Sequence, residues 1–464
     1  MDITMKNMSL GQIALACAGT YVGEEAQKSR EVSGVVIDSR KVEPGFLFVA
    51  VKGERVDGHS FIPSVYEKGA ACVLCEDAPQ HPAGPYIQVD SCLEAIKKLA
   101  AYYRNTLTIP VIGISGSVGK TSTKEMIATV LGQKYRVLKT EGNFNNEIGL
   151  PLTIFRIREE HEAAVLEMGI SDFGEMTRLG RMARPNICVL TNIGLCHLEN
   201  LKDRDGILKA KTEMFDQAQP GAQIILNGDD DKLITLKDSR VPRPCFFGLS
   251  PEHDLYATNI ENLGLEGTRC AFVTKTGTFT AQIPIPGRHM VYNALAGTAV
   301  GLALGLTLPE IQAGIESLTP VSGRNNLIHT DRWTILDDCY NANPVSMCAS
   351  LDVLANVLGR KVAILGDMGE LGANEKLLHY NVGCHAAEAG IDAVFLVGEL
   401  SKETARGIED KNPSLLHRHF NTRQELLDAL PLLLVNGDSI LVKASHFMKF
   451  EEIVEVLKEK GTCS

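Results

Sequence analysis

Residues 111–131 read VIGISGSVGKTSTKEMIATVL, a run with an apolar strand pattern, a glycine-rich turn and a helical pattern in that order. The apolar residues after the turn recur at the spacing of one helix face. A glycine-rich turn between a strand and a helix presents backbone N–H groups, and the positive end of the helix dipole, to a phosphate. The stretch therefore predicts a P-loop in a parallel α/β domain.

The turn departs from the usual P-loop pattern in the position of its first glycine. Ile114 lies five residues before Gly119, and the flanking glycine, Gly113, comes one residue earlier. The ammonium of Lys120 is expected to reach the terminal phosphates, and the Thr121 hydroxyl to bind Mg²⁺. A purely structural glycine turn is the alternative. The predicted phosphate-binding residues are Gly116, Ser117, Val118, Gly119, Lys120, Thr121 and Ser122.

The rest of the chain repeats this alternation of strand and helix patterns. After the P-loop, further apolar runs predict a doubly wound parallel sheet, to which residues 254–286 add short strands. Beyond Pro320 the alternation starts again and predicts a Rossmann-like domain. A chain of 464 residues is too long for one core. We therefore predict an α/β protein with three domains, at residues 1–106, 107–319 and 320–464.

Composition argues against several classes of protein. With 44% hydrophobic and 22% charged residues the chain is typical of soluble globular proteins, and no apolar run is long enough to span a bilayer. A net charge of −11 argues against a nucleic-acid partner. The N-terminus lacks the pattern of a secretory signal, so we expect the chain in the cytoplasm. The cysteines are expected to be reduced, and Cys72 and Cys75 to lie in a buried strand and not at a metal.

Two polar residues follow predicted strands of the central sheet. Glu167 ends the run AAVLE, and His197 follows the run ICVLTNIG. Ligands bind at the carboxyl ends of the strands in such sheets, so both side chains are predicted at the phosphate site. A carboxylate there suits a Mg²⁺ ligand. Alone, an acid at a strand end is only suggestive, and an isolated histidine is usually structural.

Several motifs and their order resemble those of the Mur ligase family. They are SGSVGKTSTKEM, EGNFNNEIGLP, EMG, NIGLCHLE, GRHMVYNALA, SGRNN and DDCYNANPVSM, and they extend over essentially the whole chain. The segment DSRKVEPGFLFVAVKGERVDGH is similar to the uridine-nucleotide-binding domain of the family. The resemblance implies a central domain that binds ATP and a C-terminal domain that closes on it.

Three segments are similar to those family members that join D-alanyl-D-alanine to UDP-N-acetylmuramoyl-tripeptide, namely NFNNEIGLP, DDCYNANP and GDMGELG. The resemblance implies this ligation through an acyl phosphate, with ATP and Mg²⁺, and we expect a monomer. The Asp-Asn-Pro-Arg motif of the enzymes that add the third amino acid does not occur here. Those enzymes, folylpolyglutamate synthetases and a P-loop nucleotide switch are the alternatives. Lysine and diaminopimelate both fit as the third residue of the tripeptide.

The resemblance also assigns roles to residues around the phosphate site. Lys211 matches a lysine that several members carbamylate, and Lys209 is the competing assignment. The implied catalytic residues are Lys120, Glu167, His197 and Lys211. The implied metal site consists of Thr121, Glu167, His197 and Lys211.

Further residues are implied to contact the nucleotide or the peptide substrate. Arg324 resembles the arginine that reaches ATP when the third domain closes, and Asn293 matches a residue near the adenine. The expected interdomain nucleotide contacts are Asp338, Tyr340 and Asn341. The expected contacts to the UDP-linked substrate are Ser39 and Arg40 in the first domain, and Asn143, Asn145 and Asn146 near the muramyl peptide. Asparagine-rich turns are also common as purely structural features.

Two positions depart from the family pattern near these residues. Met290 stands where asparagine is common, and Ser115 replaces the threonine that usually precedes Gly116. Both changes leave the principal implied ligands intact.

Overall fold

Each predicted domain of the protein contains one β-sheet. The structure is a computed structural model that describes residues 5–53, 56–238 and 243–462. The three sheets have five, nine and six strands in chain order. The predicted α/β class with three domains is confirmed, and the boundaries at residues 106 and 319 stay predictions.

The N-terminal sheet is parallel apart from one edge. Its strands are β1 (Thr20–Val22), β2 (Gly34–Val36), β3 (Phe46–Val49), β4 (Cys72–Cys75) and β5 (Tyr86–Gln88), in the spatial order β1-β5-β4-β3-β2. Strand β1 runs antiparallel to β5, whereas the other neighbours are parallel. The α-helices are α1 (Leu10–Cys17), α2 (Ile62–Glu67) and α3 (Cys92–Thr106). All four residues of β4 are buried, which confirms the buried strand predicted there.

Burial also determines the chemistry of the thiols in this strand. Desolvation raises the pKa of Cys72, and it raises the pKa of Cys75 to about 11, so both are neutral at physiological pH. The described cysteines are free, and Cys463 lies outside the described residues. No helix in the described part of the chain has the length and apolar character to cross a membrane.

The central sheet positions the predicted P-loop. Its strands are β6 (Val111–Ser115), β7 (Val137–Lys139), β8 (Ala163–Glu167), β9 (Ile187–Leu190), β10 (Gln223–Asn227), β11 (Cys245–Gly248), β12 (Leu255–Asn262), β13 (Thr268–Thr274) and β14 (Gly277–Ile283). The spatial order is β14-β13-β12-β11-β10-β9-β6-β8-β7. The strands from β7 to β12 are parallel, and β13 and β14 add antiparallel strands at one edge. This is the predicted doubly wound sheet with added strands.

Helices cover both faces of the central sheet, which explains why its inner strands are apolar throughout. Strands β6, β8 and β9 are buried at every residue. The helices are α4 (Lys120–Leu131), α5 (Gly149–Ile154), α6 (Glu175–Ala183), α7 (Leu198–Leu201), α8 (Arg204–Asp216), α9 (His289–Ala303) and α10 (Leu308–Glu316). Parallel strands bring their carboxyl ends to one edge of the sheet, so the residues that follow β6, β8 and β9 lie close together.

The C-terminal sheet is the predicted Rossmann-like unit with one antiparallel edge strand. Its strands are β15 (Asn326–His329), β16 (Thr334–Asp337), β17 (Lys361–Gly366), β18 (Ala393–Val397), β19 (Leu416–Phe420) and β20 (Ser439–Lys443), in the order β15-β16-β20-β17-β18-β19. Strand β15 runs antiparallel to β16 and the other pairs are parallel. The helices are α11 (Pro344–Ala355), α12 (Glu375–Glu388), α13 (Ser401–Lys411), α14 (Arg423–Leu433) and α15 (Glu451–Gly461).

The N-terminal and central domains share one apolar core. The cluster extends from α1 through α3 to the helices of the central sheet. At the end of α3 the buried Arg104 donates hydrogen bonds to the carbonyl oxygen of Ala183 (2.8 Å) and to Oδ1 of Asn186 (3.0 Å). Among the described residues, no apolar cluster joins the C-terminal domain to the central domain. The C-terminal domain is thus the one that can move without exposing a shared core.

Candidate active site

A cleft of about 620 Å³ lies between the central and C-terminal domains, at the carboxyl ends of β6, β8 and β9. Many predicted site residues line it together, namely Ser117 to Ser122, Asn143, Asn145, Glu167, His197, Asn293, Arg324, Asp338, Tyr340 and Asn341. Other predicted residues do not line it, namely Ser39, Arg40, Gly116, Asn146 and Lys211. The lining residues that were not predicted include Thr191, Asn192, Tyr292, Asn325, Glu370 and Lys443.

Two glycines of the loop are required by its backbone. Gly116 has a φ of +149°, and a Cβ at this position would lie 1.9 Å from Oγ1 of Thr191. Gly119 has a φ of +83° and immediately precedes α4. Residues with a Cβ rarely adopt these backbone conformations, so the loop needs glycine at both positions.

The segment after β9 holds the loop in place. The backbone N–H of Val118 donates to Oδ1 of Asn192 (2.9 Å), whose Nδ2 donates back to the carbonyl oxygen of Val118 (2.9 Å). The Thr191 hydroxyl donates to the same carbonyl (2.7 Å). These contacts hold the loop against the segment that follows β9. A polar pair directly after an apolar strand is the sequence signal that could have revealed both residues.

The side chain of Lys120 lies over its own loop. Its Nζ donates to the carbonyl oxygens of Gly116 (2.9 Å) and Ser117 (3.4 Å). The ammonium therefore lies against the loop that leads into α4, and the N-terminus of a helix is a place that favours phosphate anions.

Glu167 connects the P-loop helix to the asparagine-rich loop. Its buried carboxylate accepts a hydrogen bond from the Thr121 hydroxyl (2.8 Å) on one oxygen and from Nδ2 of Asn145 (2.9 Å) on the other. The backbone N–H of Glu167 donates to Oγ1 of Thr140 (3.0 Å). Oxygen donors of this kind are the ligands that Mg²⁺ prefers.

His197 faces the opposite wall of the same cleft. Its backbone is left-handed (φ +49°), and its Nδ1 lies 2.9 Å from Oε2 of Glu370 in the C-terminal domain. The hydrogen bond from His197 lowers the pKa of Glu370, and the Lys120 ammonium also acts in this direction. Within the described residues, no three or more His, Cys, Asp and Glu side chains form a metal-binding group. Glu167 and His197 thus share a cleft without forming such a cluster.

Lys211 and Lys209 differ sharply in environment. Lys211 is 1% exposed on α8, and its side chain makes no hydrogen bond or ion pair with the described residues. Burial, together with repulsion from the Lys120 ammonium, lowers the pKa of Lys211 to about 8. Lys209 is exposed. The structure therefore favours Lys211 for any role that needs a neutral, desolvated amine near the P-loop.

The residues that depart from the family pattern have partners inside the fold. The Ser115 hydroxyl donates to the carbonyl oxygen of Met168 (2.7 Å). Asn293 accepts a hydrogen bond from the Thr123 hydroxyl (2.9 Å), and its Nδ2 lies 3.2 Å from the sulfur of Met290. Since a thioether is a weak acceptor, the hydrogen bond from Asn293 to Met290 is a weak one.

Arg324 lies in the segment 323–325 between the central and C-terminal domains, which we call the hinge, and it lines the cleft. Its guanidinium carbon lies 4.2 Å from the centre of the Tyr340 ring, a cation–π distance. The neighbouring Asn325 bridges the two domains, because its Nδ2 lies 3.0 Å from Nε2 of His289. Asn341 lies near this hinge, and its Oδ1 accepts from the N–H of Ala342 (2.9 Å).

The predicted contacts to the UDP-linked substrate fall into two groups. Asn143 and Asn145 line the cleft, whereas Oδ1 of Asn146 accepts from the N–H of Gly149 (2.8 Å) at the start of α5. Ser39 and Arg40 lie apart in the N-terminal domain, where the Arg40 guanidinium pairs with Asp38 (2.8 Å). The hydrogen bonds from Arg40 lower the pKa of Asp38 to about 2, so this pair stays charged. The nucleotide cleft and this N-terminal group are separate places in the fold.

A P-loop closed by a second α/β domain that carries an arginine defines a multidomain enzyme that uses a nucleotide. Three family models match consecutive parts of the chain, namely the Mur ligase family catalytic domain at residues 31–104, the Mur ligase middle domain at residues 114–301, and the Mur ligase glutamate ligase domain at residues 323–446. The chain belongs to the Mur ligase family.

Full-length relatives narrow this assignment. The chain is 38% identical to the UDP-N-acetylmuramoyl-tripeptide–D-alanyl-D-alanine ligase of Bacillus subtilis (strain 168), over 98% of both chains. Its fold is similar to crystal structure I of MurF from Acinetobacter baumannii, with a TM-score of 0.89, 32% identity, and coverage of 97% and 99%. It is also similar to the MurF ligase of Thermotoga maritima in complex with ADP, with a TM-score of 0.80, 30% identity, and coverage of 92% and 97%.

Proposed function

We propose that this chain uses ATP to join D-alanyl-D-alanine to UDP-N-acetylmuramoyl-tripeptide, which gives the pentapeptide precursor of peptidoglycan, ADP and phosphate. Full-length similarity to ligases with this name supports the substrates. The observation that carries the chemistry is the hydrogen bond between Thr121 and Glu167 below the P-loop, in a cleft that Arg324 enters from the other domain.

The reaction needs ATP because a carboxylate is a poor electrophile at neutral pH. The terminal carboxylate oxygen of the tripeptide attacks the γ-phosphorus, and the bond from this phosphorus to the β,γ-bridging oxygen breaks, which gives an acyl phosphate and ADP. The free amine of the dipeptide then attacks the acyl carbon, loses a proton and expels inorganic phosphate. The ammonium of Lys120 and the guanidinium of Arg324 offset the negative charge on the transferring phosphoryl oxygens.

The residues around Glu167 fit Mg²⁺, which binds oxygen ligands. The Thr121 hydroxyl and the Glu167 carboxylate supply such oxygens, and His197 supplies a nitrogen from the same cleft. When bound, Mg²⁺ neutralises phosphate charge. The Thr121–Glu167 hydrogen bond holds these two groups together, and both would hold the ion.

Lys211 is the residue that we propose carries a carbamate. Carbon dioxide adds only to a neutral amine, and a pKa of about 8 gives Lys211 a substantial neutral fraction at physiological pH. The carbamate would replace a buried cation by an anion that the Lys120 ammonium, and Mg²⁺ when bound, would stabilise. The exposed Lys209 has no comparable environment.

The other proposed contacts follow the division into domains. Ser39 and Arg40 bind the uridine end of the substrate in the N-terminal domain, and Asn143 and Asn145 contact the peptide near the P-loop. Asn293 and Tyr340 contact the nucleotide base or ribose. We also propose that the enzyme acts as a cytoplasmic monomer without a nucleic-acid partner, in keeping with its net charge of −11.

A phosphate-release assay that omits one substrate at a time tests this function. Release is expected only with ATP, the UDP-linked tripeptide and D-alanyl-D-alanine together, and parallel runs with tripeptides that end in lysine or diaminopimelate identify the donor. Release with UDP-N-acetylmuramoyl-dipeptide plus lysine or diaminopimelate, or with a folate plus glutamate, would assign the chain to another ligase. Steady ATP hydrolysis without any acceptor would indicate a nucleotide switch.

A further inference from the structure

Lys443 is a buried cation at the carboxyl end of β20, and it lines the nucleotide cleft. It is 2% exposed, and its Nζ lies 2.5 Å from Oδ2 of Asp338. The same Nζ donates to the carbonyl oxygen of Asn341 (3.1 Å). A lysine is rarely buried so completely unless a partner neutralises it. The ion pair with Asp338 supplies that partner.

The carboxylate of Asp338 is occupied by protein donors. Its Oδ2 also accepts a hydrogen bond from the Ser350 hydroxyl (2.6 Å), and its Oδ1 accepts from the backbone N–H of Asn325 (3.1 Å). Asp338 therefore acts on the hinge through the Asn325 backbone. The carboxylate lies beside the nucleotide cleft. Among the described residues, Lys443 is the one cation within hydrogen-bond distance of it.

Two neighbouring aspartates, Asp337 and Asp338, hold the hinge on either side of Arg324. The N–H of Gly323 donates to Oδ2 of Asp337 (2.8 Å), and the N–H of Asn325 donates to Asp338. The carbonyl oxygen of Gly323 accepts from the N–H of Tyr340 (3.0 Å). Arg324 is thus placed in the cleft by neighbours that the two aspartates fix.

We propose that Lys443 is a positioning residue for the nucleotide. It neutralises Asp338, so that this carboxylate holds the hinge beside Arg324 without repelling the triphosphate. The inference rests on the proposed use of the cleft for ATP, and it goes beyond it by assigning Lys443 a role. Removal of Lys443 leaves an uncompensated buried anion beside the phosphates, which is far more costly than loss of the whole pair.

The test compares Lys443→Met, Asp338→Asn and the double variant in the full-length chain. Calorimetric titration with ATP and Mg²⁺ alone gives the dissociation constant, and steady-state assays give KM for the UDP-linked tripeptide. Lys443→Met is expected to weaken ATP binding by about tenfold or more, with little change in that KM. Adding Asp338→Asn to Lys443→Met is expected to restore ATP binding to within about threefold of wild type, because the unpaired charge is gone.

Several outcomes would overturn the proposal. They are an equal loss of affinity for ATP and for the UDP-linked substrate, no recovery in the double variant, or unchanged ATP binding in Lys443→Met. Lys361→Met, at the amino end of the neighbouring strand β17, is the matched control and should bind ATP normally. If Lys443→Met does not fold, Lys443→Arg replaces it. Arginine keeps the charge that balances Asp338, so Lys443→Arg must bind ATP within about threefold of wild type, and a loss of about tenfold or more contradicts the proposal.

The ATP titration separates this inference from the proposed function. It needs no acceptor, so a chain that binds ATP but does not join D-alanyl-D-alanine refutes the proposed ligation and still tests Lys443. A wild-type chain that binds no ATP refutes both.

Discussion

The hydroxyl of Thr121 donates a hydrogen bond of 2.8 Å to Oε2 of Glu167, although the two residues are 46 positions apart in the chain. The contact forms because β6 and β8 are parallel neighbours, so that their carboxyl ends meet where α4 begins. It joins the phosphate-binding helix to a buried carboxylate whose other oxygen accepts from Asn145. A substitution of Glu167 should therefore change the Mg²⁺ requirement more than it changes binding of the UDP-linked substrate.

Glu167→Gln is expected to raise the Mg²⁺ concentration for half-maximal activity by about tenfold or more, because the amide keeps the shape but loses the charge. KM for the UDP-linked tripeptide should change by less than about threefold. Titrating Mg²⁺ at saturating substrates measures the first quantity. Unchanged metal activation would remove Glu167 from the proposed metal site.

Lys120→Ala is expected to lower the ligation rate by about 100-fold or more, since the ammonium offsets charge on the transferring phosphoryl group. The side chain is half-buried over its own loop, so its loss should cost less than about 1 kcal/mol of unfolding free energy. Phosphate release and thermal unfolding measure the two effects. Turnover near that of the wild type would show that the loop does not bind the reacting phosphate.

Arg324→Ala should lower kcat by about 100-fold and change the dissociation constant for ADP by less than about threefold. The guanidinium stacks on Tyr340 and belongs to the hinge, whereas the P-loop, which we propose binds ADP, lies in the central domain. Arg324→Lys is the matched control, because it keeps a positive charge and should retain more activity. A loss of ADP affinity as large as the loss of kcat contradicts the proposed role.

Lys211→Ala should be nearly inactive and should regain activity when acetate or formate is added, because a small carboxylate can occupy the place of the carbamate. Lys209→Ala provides the control, since its side chain is exposed and its loss should leave activity within about twofold. Full activity of Lys211→Ala, or no response to added carboxylate, would exclude the carbamate.

The nucleotide site could be located from the sequence because its signals are local. A strand, a glycine-rich turn and a helix follow one another within residues 111–131, and the structure forms β6, the loop and α4 there. Glu167 could be placed at the cleft because it ends a strand, and the carboxyl ends of parallel strands lie at one edge of the sheet. Glu370 was missed, because its contact with His197 depends on which loops meet after folding.

What the sequence by itself determined is the order of strands and helices, the three-domain α/β class and the position of the P-loop. These follow from the spacing of apolar residues and from glycines that few other residues can replace. Only the tertiary structure shows that Lys211 is buried whereas Lys209 is exposed, because the two side chains leave α8 about 160° apart. It also paired Lys443 with Asp338, 105 residues away. Packing determines which helix face is buried and which strand ends meet, and the desolvation and charge pairing that follow are absent from the sequence pattern.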